Sequence, residues 1–263
     1  MNQDRAMEEF RNQIFYLEHK INLLKKLTGT AGEFDRLWPS YCYNEVGLPN
    51  QEGKQKGYCQ VNKYPLCTVS VITAASRGTK HLSKLLEAMS AQTFKDFEHL
   101  IIYDGKCQSD VRELMSSHPG FYELPEKSKD KYPGTTPRNI GIRMARGDWV
   151  CFMDDDDRPL SNWLESLTTP LRDDCINLTQ MVCSETRVKA IGDKSKRILL
   201  PKGPELIAGR IGTPNFIVKR EHALLNEWRD EKNHDYLFIK QIQERYGLNI
   251  QFHPGCTVNV GEK

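Results

Sequence analysis

Residues 67–75, CTVSVITAA, are a continuous run rich in β-branched side chains, and they constrain the fold more than any other stretch. A strand wetted on one face alternates apolar and polar residues. An unbroken run belongs to a strand covered on both faces, as in a parallel sheet. Leu82, Leu85, Leu86 and Met89 follow at i, i+3, i+4 and i+7, which predicts an amphipathic helix of about three turns. EHLIIYDG (98–105) then reads as a second strand closed by a turn. Strand, helix and strand within about 35 residues make a βαβ unit, expected to cross over right-handedly. DWVCFM (148–153) supplies a further strand. The predicted class is α/β, with a mostly parallel central sheet flanked by helices.

The segment CFMDDDDRP (151–159) sets Asp154, Asp155, Asp156 and Asp157 directly after that further strand. Open parallel sheets bind ligands beyond the carboxyl ends of their strands. Asp104, which ends LIIYD, holds the matching place on the second strand, so both are expected to open onto one crevice. In an extended segment Asp154 and Asp156 point to one side, roughly 6–7 Å apart. Two unit charges at that separation repel by roughly 2–3 kcal/mol at an effective dielectric of 20. Solvent relieves this on an open turn; over a partly enclosed crevice a divalent cation relieves it better. Carboxylates without Cys or His nearby suit hard ions such as Mg²⁺, Mn²⁺ or Ca²⁺ and disfavour zinc. Mg²⁺ and Mn²⁺ usually leave positions for phosphate oxygens, so a diphosphate partner is the natural inference.

The rest of the 263 residues bounds the setting. Met7, Phe10, Ile14, Leu17, Ile21 and Leu24 form a heptad-like stripe over residues 5–27. Such a helix either docks on its own domain or associates with a second copy, and the pattern leaves both open. Residues 28–63 are rich in Gly, Pro, Asn and Gln and read as an irregular connector, with Trp38 and Tyr41 as candidate anchors. The predicted organisation is therefore a helix with connector over 1–63 and the main domain over 64–263. The balance of 37 basic and 35 acidic residues, net +2, argues against a dedicated nucleic-acid binder. No run approaches the roughly 20 apolar residues of a membrane helix. The opening MNQDRAMEEFRNQ is too polar for a signal peptide. The eight cysteines, without a CxxC pair, are expected as free thiols of a reducing compartment, Cys67 and Cys151 as buried apolar residues. A cytoplasmic location follows, with peripheral membrane association left open.

Two blocks carry a family resemblance. CTVSVITAASRGTKHLSKLLEAMSAQTFKDFEHLIIYDGKCQSD (67–110) resembles the opening of family 2-type glycosyltransferases of the GT-A fold: a strand, a helix ending in AQTFxDFE, and a strand ending in DG. TPRNIGIRMARGDWVCFMDDDDRP (136–159) resembles the same family's ARNxGIxxAxGxYIxFLDxDDxxxP block. The likeness spans about residues 66–245 and leaves the first 63 unexplained. It implies that Asp104 binds the nucleotide base, with Thr73 also beside the nucleotide, and that Asp154 and Asp156 form the DxD element. Asp156 is then the first metal candidate and Asp154 the second, while Asp157 reaches the metal or the donor sugar. Arg138 corresponds to an Arg near the donor, or else it only pins its loop to the aspartates. In TPNFIVKREHALLNEWRDEKNHDYLFIKQIQERYG (213–247), Asp235 falls on the family's catalytic carboxylate, with His234 where Glu is common. Asp is also favoured at a helix N-terminus, which is the structural alternative for Asp235. His234 and His253 are further, weaker metal candidates.

Two departures bear on the donor. TAASR stands where the family commonly has PTYNR, so the family's aromatic gives way to a small residue, and Tyr103 replaces the first Asp of DDGS. The resemblance implies a metal-dependent inverting glycosyltransferase using Mn²⁺ or Mg²⁺ and a nucleotide-diphosphate sugar, UDP foremost, with GDP or dTDP as the other options. Its acceptor would be a glycan, a lipid-linked or a protein hydroxyl, with no nucleic-acid partner, and the N-terminal helix could support a homo-oligomer. The alternatives are a sugar-phosphate nucleotidyltransferase, or a non-catalytic degenerate transferase that binds partners through an oligomerising helix.

Overall fold

The computed structural model describes residues 67–183 and 198–260, apart from the side chains of Ile198 and Cys256. The predicted helix over 5–27 and the connector over 28–63 lie outside the described residues. The first strand is β1 (Val69–Ala75), followed by α1 (Thr79–Ser90) and β2 (Phe97–Tyr103). Then come α2 (Ser109–Met115), β3 (Phe121–Glu123), α3 (Thr135–Met144) and β4 (Trp149–Asp154). The chain continues through β5 (Arg158–Pro159), α4 (Trp163–Thr168), β6 (Cys175–Cys183) and β7 (Ile198–Leu200). A 3₁₀ turn (Thr213–Asn215) leads into β8 (Phe216–Lys219), α5 (Arg220–Leu224), α6 (His234–Tyr246) and β9 (Asn249–Asn259).

These strands form one sheet in the order β3-β2-β1-β4-β8-β6-β9-β5, with β7 paired to β6. Pairing is parallel from β3 through β4, with Ala74 opposite Asp154 and Ala75 opposite Tyr103. Beyond β4 the sheet is mixed: β8 runs antiparallel to β4 and β6, and β9 parallel to β6. The chain leaves β1 toward β2 and β3, then returns to lay β4 on the other side of β1. That reversal is a topological switch point, where a crevice opens beyond the strand ends.

Alternation along β4 shows why its run is continuously apolar. Cys151 and Met153 pack with Val71, Leu85 and Met89 on one face. Val150 and Phe152 pack with Ile72, Phe216, Trp228 and Phe238 on the other. Leu82, Leu85 and Met89 of α1 are buried, as their spacing predicts, whereas Leu86 is only partly covered. Cys107, Cys151 and Cys175 are buried free thiols, and Cys67, expected inside a strand, is a half-buried free thiol ahead of β1. On the second face α3 lies against β1 at Gly141, where an added Cβ would stand 2.3 Å from Ile72 Cγ2. That approach fixes the height of α3, and so of Arg138 one turn earlier. No helix among the described residues is long and apolar enough to cross a membrane.

Candidate active site

Asp154 ends β4, and the three aspartates after it do not continue the strand. The Asp157 N–H donates to the Asp154 carbonyl at 3.2 Å, closing a turn that sends the carboxylates in different directions. The extended arrangement expected for 154–157 is thus replaced by a turn, and each carboxylate acquires its own environment. Asp155 is fully buried. Its Oδ2 accepts the backbone N–H groups of Ser76 and Arg77, each at 2.9 Å, and its Oδ1 accepts from the Arg77 guanidinium. This carboxylate therefore ties the turn after β1 to the end of β4. Asp156 stays partly open and pairs with Arg77 Nη2 at 3.0 Å. Burial, reinforced by Asp154 and Asp155 against the pull of Arg77, raises the Asp156 carboxyl above its ordinary range. A further positive charge beside it would relieve that cost. Asp157 is buried, and its charge acts on Arg138.

Asp154 faces Arg138, whose Nη2 donates to Asp154 Oδ1 at 2.5 Å. Burial alone would raise the Asp154 carboxyl, but the Arg138 guanidinium holds it below the usual range. Arg138 is 3% exposed, lies 4.7 Å from the Trp228 ring centre, and also donates to Thr213 Oγ1 at 3.4 Å. Burial opposes its charge, yet Asp154 and Asp235 keep the guanidinium protonated. The residue is seated by Gly134 (φ +91°), where a Cβ would come within 2.7 Å of Arg138 Nη1. Arg138 thus ties the start of α3 to the aspartate turn through Asp154.

Asp235 lies in the first turn of α6, with 15% of its side chain exposed. It does not cap the helix: Asn233 occupies the cap position with φ 61°, and Asp235 Oδ1 accepts from the Thr213 hydroxyl at 3.0 Å. A continuous chain of polar contacts thus runs Asp154–Arg138–Thr213–Asp235. His234 Nε2 stands 3.5 Å from Asp235 Oδ1, and the ring abuts Trp228 and Tyr132. Burial lowers the His234 imidazole below its ordinary range, leaving it neutral at pH 7. His253 sits on β9, partly covered, and pairs with Thr179 in register.

Asp104 follows β2 at the same sheet end. Its carboxylate accepts the Ser128 N–H at 2.7 Å and the Ser128 hydroxyl at 2.9 Å, which holds the 125–134 loop beside it. Two strand spacings, β2 to β1 to β4, set Asp104 and Asp154 roughly 10 Å apart. Thr73 does not join them: it is fully buried within β1, with its hydroxyl 2.9 Å from His99 Nε2. The alternation of strand faces turns this position inward, toward β2 rather than toward Asp104 and Asp154.

Three contributors escaped sequence reasoning: Arg77, Thr213 and Trp228. Arg77 stands in TAASR where PTYNR also has R, but no role was read from it, and nothing local links Thr213 to Asp235. Among the described residues no three His, Cys, Asp or Glu side chains are gathered into a ready metal cage. Asp156, open and charge-stressed, with Asp154 beside it, still fits an ion of the Mg²⁺ or Mn²⁺ kind, which takes one or two carboxylates plus substrate phosphates.

Residues 70–249 match the family described as Glycosyl transferase family 2. An uncharacterized glycosyltransferase of Haemophilus influenzae is 29% identical over 190 residues, 67% of this chain and 62% of its own length. The crystal structure of S. aureus TarS 1–349 superposes with a TM-score of 0.54 at 20% identity, covering 73% of this chain and 60% of that one. The mannosyltransferase PcManGT from Pyrobaculum calidifontis, solved with GDP-Man and Mn²⁺, gives 0.53 at 16% identity, covering 75% and 58%. The chain thus spans less than two thirds of the length of each, and the structural likenesses establish the GT-A fold.

Proposed function

Because the chain belongs to glycosyl transferase family 2, we propose that it is a metal-dependent inverting transferase, moving a sugar from a nucleotide diphosphate to an acceptor hydroxyl. The observation that carries this reading is the chain Asp154–Arg138–Thr213–Asp235, which joins the acidic turn after β4 to a carboxylate at the start of α6. Two carboxylate sites, one for the donor diphosphate and one for the acceptor, are what a single-displacement transfer needs.

The donor lies beyond the ends of β1, β2 and β4, with its base toward Asp104 and its diphosphate toward Asp154 and Asp156. Asp156, with Asp154, would hold a hard divalent ion, Mn²⁺ or Mg²⁺, which when bound supplies positive charge against the leaving diphosphate. Asp235 takes the proton of the acceptor hydroxyl as its oxygen bonds to the anomeric carbon. The bond from that carbon to the phosphate oxygen breaks, and its electron pair leaves with the diphosphate. Attack opposite the leaving group inverts the anomeric centre. Arg138, enclosed and doubly paired, spaces the two carboxylates while offsetting their mutual repulsion. UDP is the foremost donor nucleotide, with GDP and dTDP as alternatives. TarS has been solved with UDP-GlcNAc and PcManGT with GDP-Man, which supports a nucleotide-sugar donor. The acceptor would be a glycan, lipid-linked or protein hydroxyl.

A thermal-shift panel of UDP-, GDP- and dTDP-sugars, with and without Mn²⁺, identifies the donor. A ligand bound only by the folded state adds about 2.7 kcal/mol at a hundred times its Kd. Asp235→Asn is expected to keep that shift and lose turnover by about 10²–10⁴-fold, the usual worth of general-base catalysis. Near-normal turnover, or pyrophosphate release from a sugar phosphate and a nucleoside triphosphate, would overturn the assignment.

A further inference from the structure

The turn Gly212–Asn215 is more firmly mounted than its position between strands requires. Asn215 is fully buried; its Oδ1 accepts the Gly212 N–H at 2.8 Å, and its Nδ2 donates to the carbonyls of Thr179 (2.9 Å) and Leu200 (3.2 Å). The Trp163 indole donates to the Pro214 carbonyl at 2.9 Å from the opposite side. Strands β6 and β7 and helix α4 therefore all hold this turn. The side chain it presents is Thr213, 3% exposed, whose hydroxyl meets Arg138 Nη2 and Asp235 Oδ1.

A threonine hydroxyl has one proton to donate and two lone pairs with which to accept. Its acceptor side faces Arg138, which can only donate, so its single proton is directed to a carboxylate. Asp235 Oδ1 receives it at 3.0 Å, and Asp235 Oδ2 is left for another donor. We propose that Thr213 is a positioning residue for the transfer: its hydroxyl, carried on the rigid 212–215 turn, fixes the rotamer of Asp235 so that one carboxylate oxygen points at the acceptor hydroxyl.

This inference rests on the assignment of Asp235 as the base, and it adds a cause for that base's orientation. Without the hydroxyl, Asp235 keeps its place on α6 but loses the contact that selects its rotamer. A carboxylate misplaced by about 1 Å costs up to about 100-fold in rate. Binding of the donor, which the proposed function assigns to Asp104, Asp154 and Asp156, is untouched.

The test is a double-mutant cycle read as kcat, donor KM and donor affinity by calorimetry. Thr213→Val is expected to lower kcat by about 10- to 100-fold with donor KM and affinity unchanged, and Thr213→Ser, which restores the hydroxyl, to recover most of the rate. In the Asp235→Asn background, Thr213→Val is expected to cost nothing further, because residues acting as one unit are non-additive. Should the valine variant unfold early, Thr213→Ala, which also lacks the hydroxyl, carries the same cycle. Wild-type turnover in both hydroxyl-less variants, equal loss in the serine variant, or a full additional loss on top of Asp235→Asn would each overturn the proposal. Normal turnover of Asp235→Asn alone would instead remove the base assignment on which it stands.

Discussion

Replacing Asp155 with alanine is expected to unfold the domain early, although the residue sits in the middle of a cluster whose neighbours carry the proposed donor site. The carboxylate is fully buried and accepts two backbone N–H groups at 2.9 Å. Hydrogen bonds to a charged group are worth about 1.5–3 kcal/mol each, so the two together amount to about 3–6 kcal/mol. The Arg77 ion pair adds less, about 1 kcal/mol at most, because Arg77 is 45% exposed and screened. A domain of this size loses about 2–4 °C of Tm per kcal/mol, which places the drop at roughly 6–24 °C. The comparison is Asp156→Ala, the next residue but partly open, where removing a charge already disfavoured by burial and its neighbours costs little or stabilises. Both proteins are followed by differential scanning fluorimetry in the absence of nucleotide. A Tm for Asp155→Ala within 2 °C of wild type, or an equal loss in Asp156→Ala, would refute the division of the cluster into one structural and one partly open carboxylate.

Other outcomes follow from the same geometry. Asp156→Ala is expected to abolish the Mn²⁺-dependent part of nucleotide binding in calorimetry while leaving the fold intact; an unchanged Mn²⁺ titration would move the role to Asp154 or Asp157. Gly141→Ala forces a Cβ to 2.3 Å from Ile72 Cγ2, so overpacking between α3 and β1 should cost about 1–3 kcal/mol, seen as a lower urea midpoint at constant slope. Burial, with His118 alongside, pushes His99 down to about 3. Its unfolded value near 6.5 means the unfolded chain binds the extra proton as pH falls below 6.5, so stability is full above that pH and is lost on acidification. The loss from this group reaches up to about 2.7 kcal/mol between pH 6.5 and 4.5. His99→Gln should shrink the wild-type acid loss by that amount in urea melts at the two pH values, and an unaltered acid slope would exclude the contribution.

Local pattern made much of the architecture legible. The run at 69–75, the i, i+3, i+4 spacing of Leu82, Leu85 and Met89, and the strand before the aspartates all appear as expected. Asp104 and the acidic turn do lie at the carboxyl ends of parallel neighbours. The burial of Thr73 against His99 was not legible, because its place in a strand near the crevice says nothing of which face it takes at the sheet's centre.

What the sequence by itself determined was the parallel core from β1 to β4 and the presence of acidic chemistry at its edge, because both arise from residues close together in the chain. Tertiary structure alone decided how that chemistry is shared. Asp155 meets Ser76 across 79 positions, and Arg138 meets Thr213 across 75. Those contacts exist only once β4 lies beside β1 and β8 enters antiparallel between β4 and β6. Four adjacent aspartates are chemically equal in a sequence. Burial, a turn and three distant donors make one a structural tie, one a partner of Arg138, one enclosed and one open.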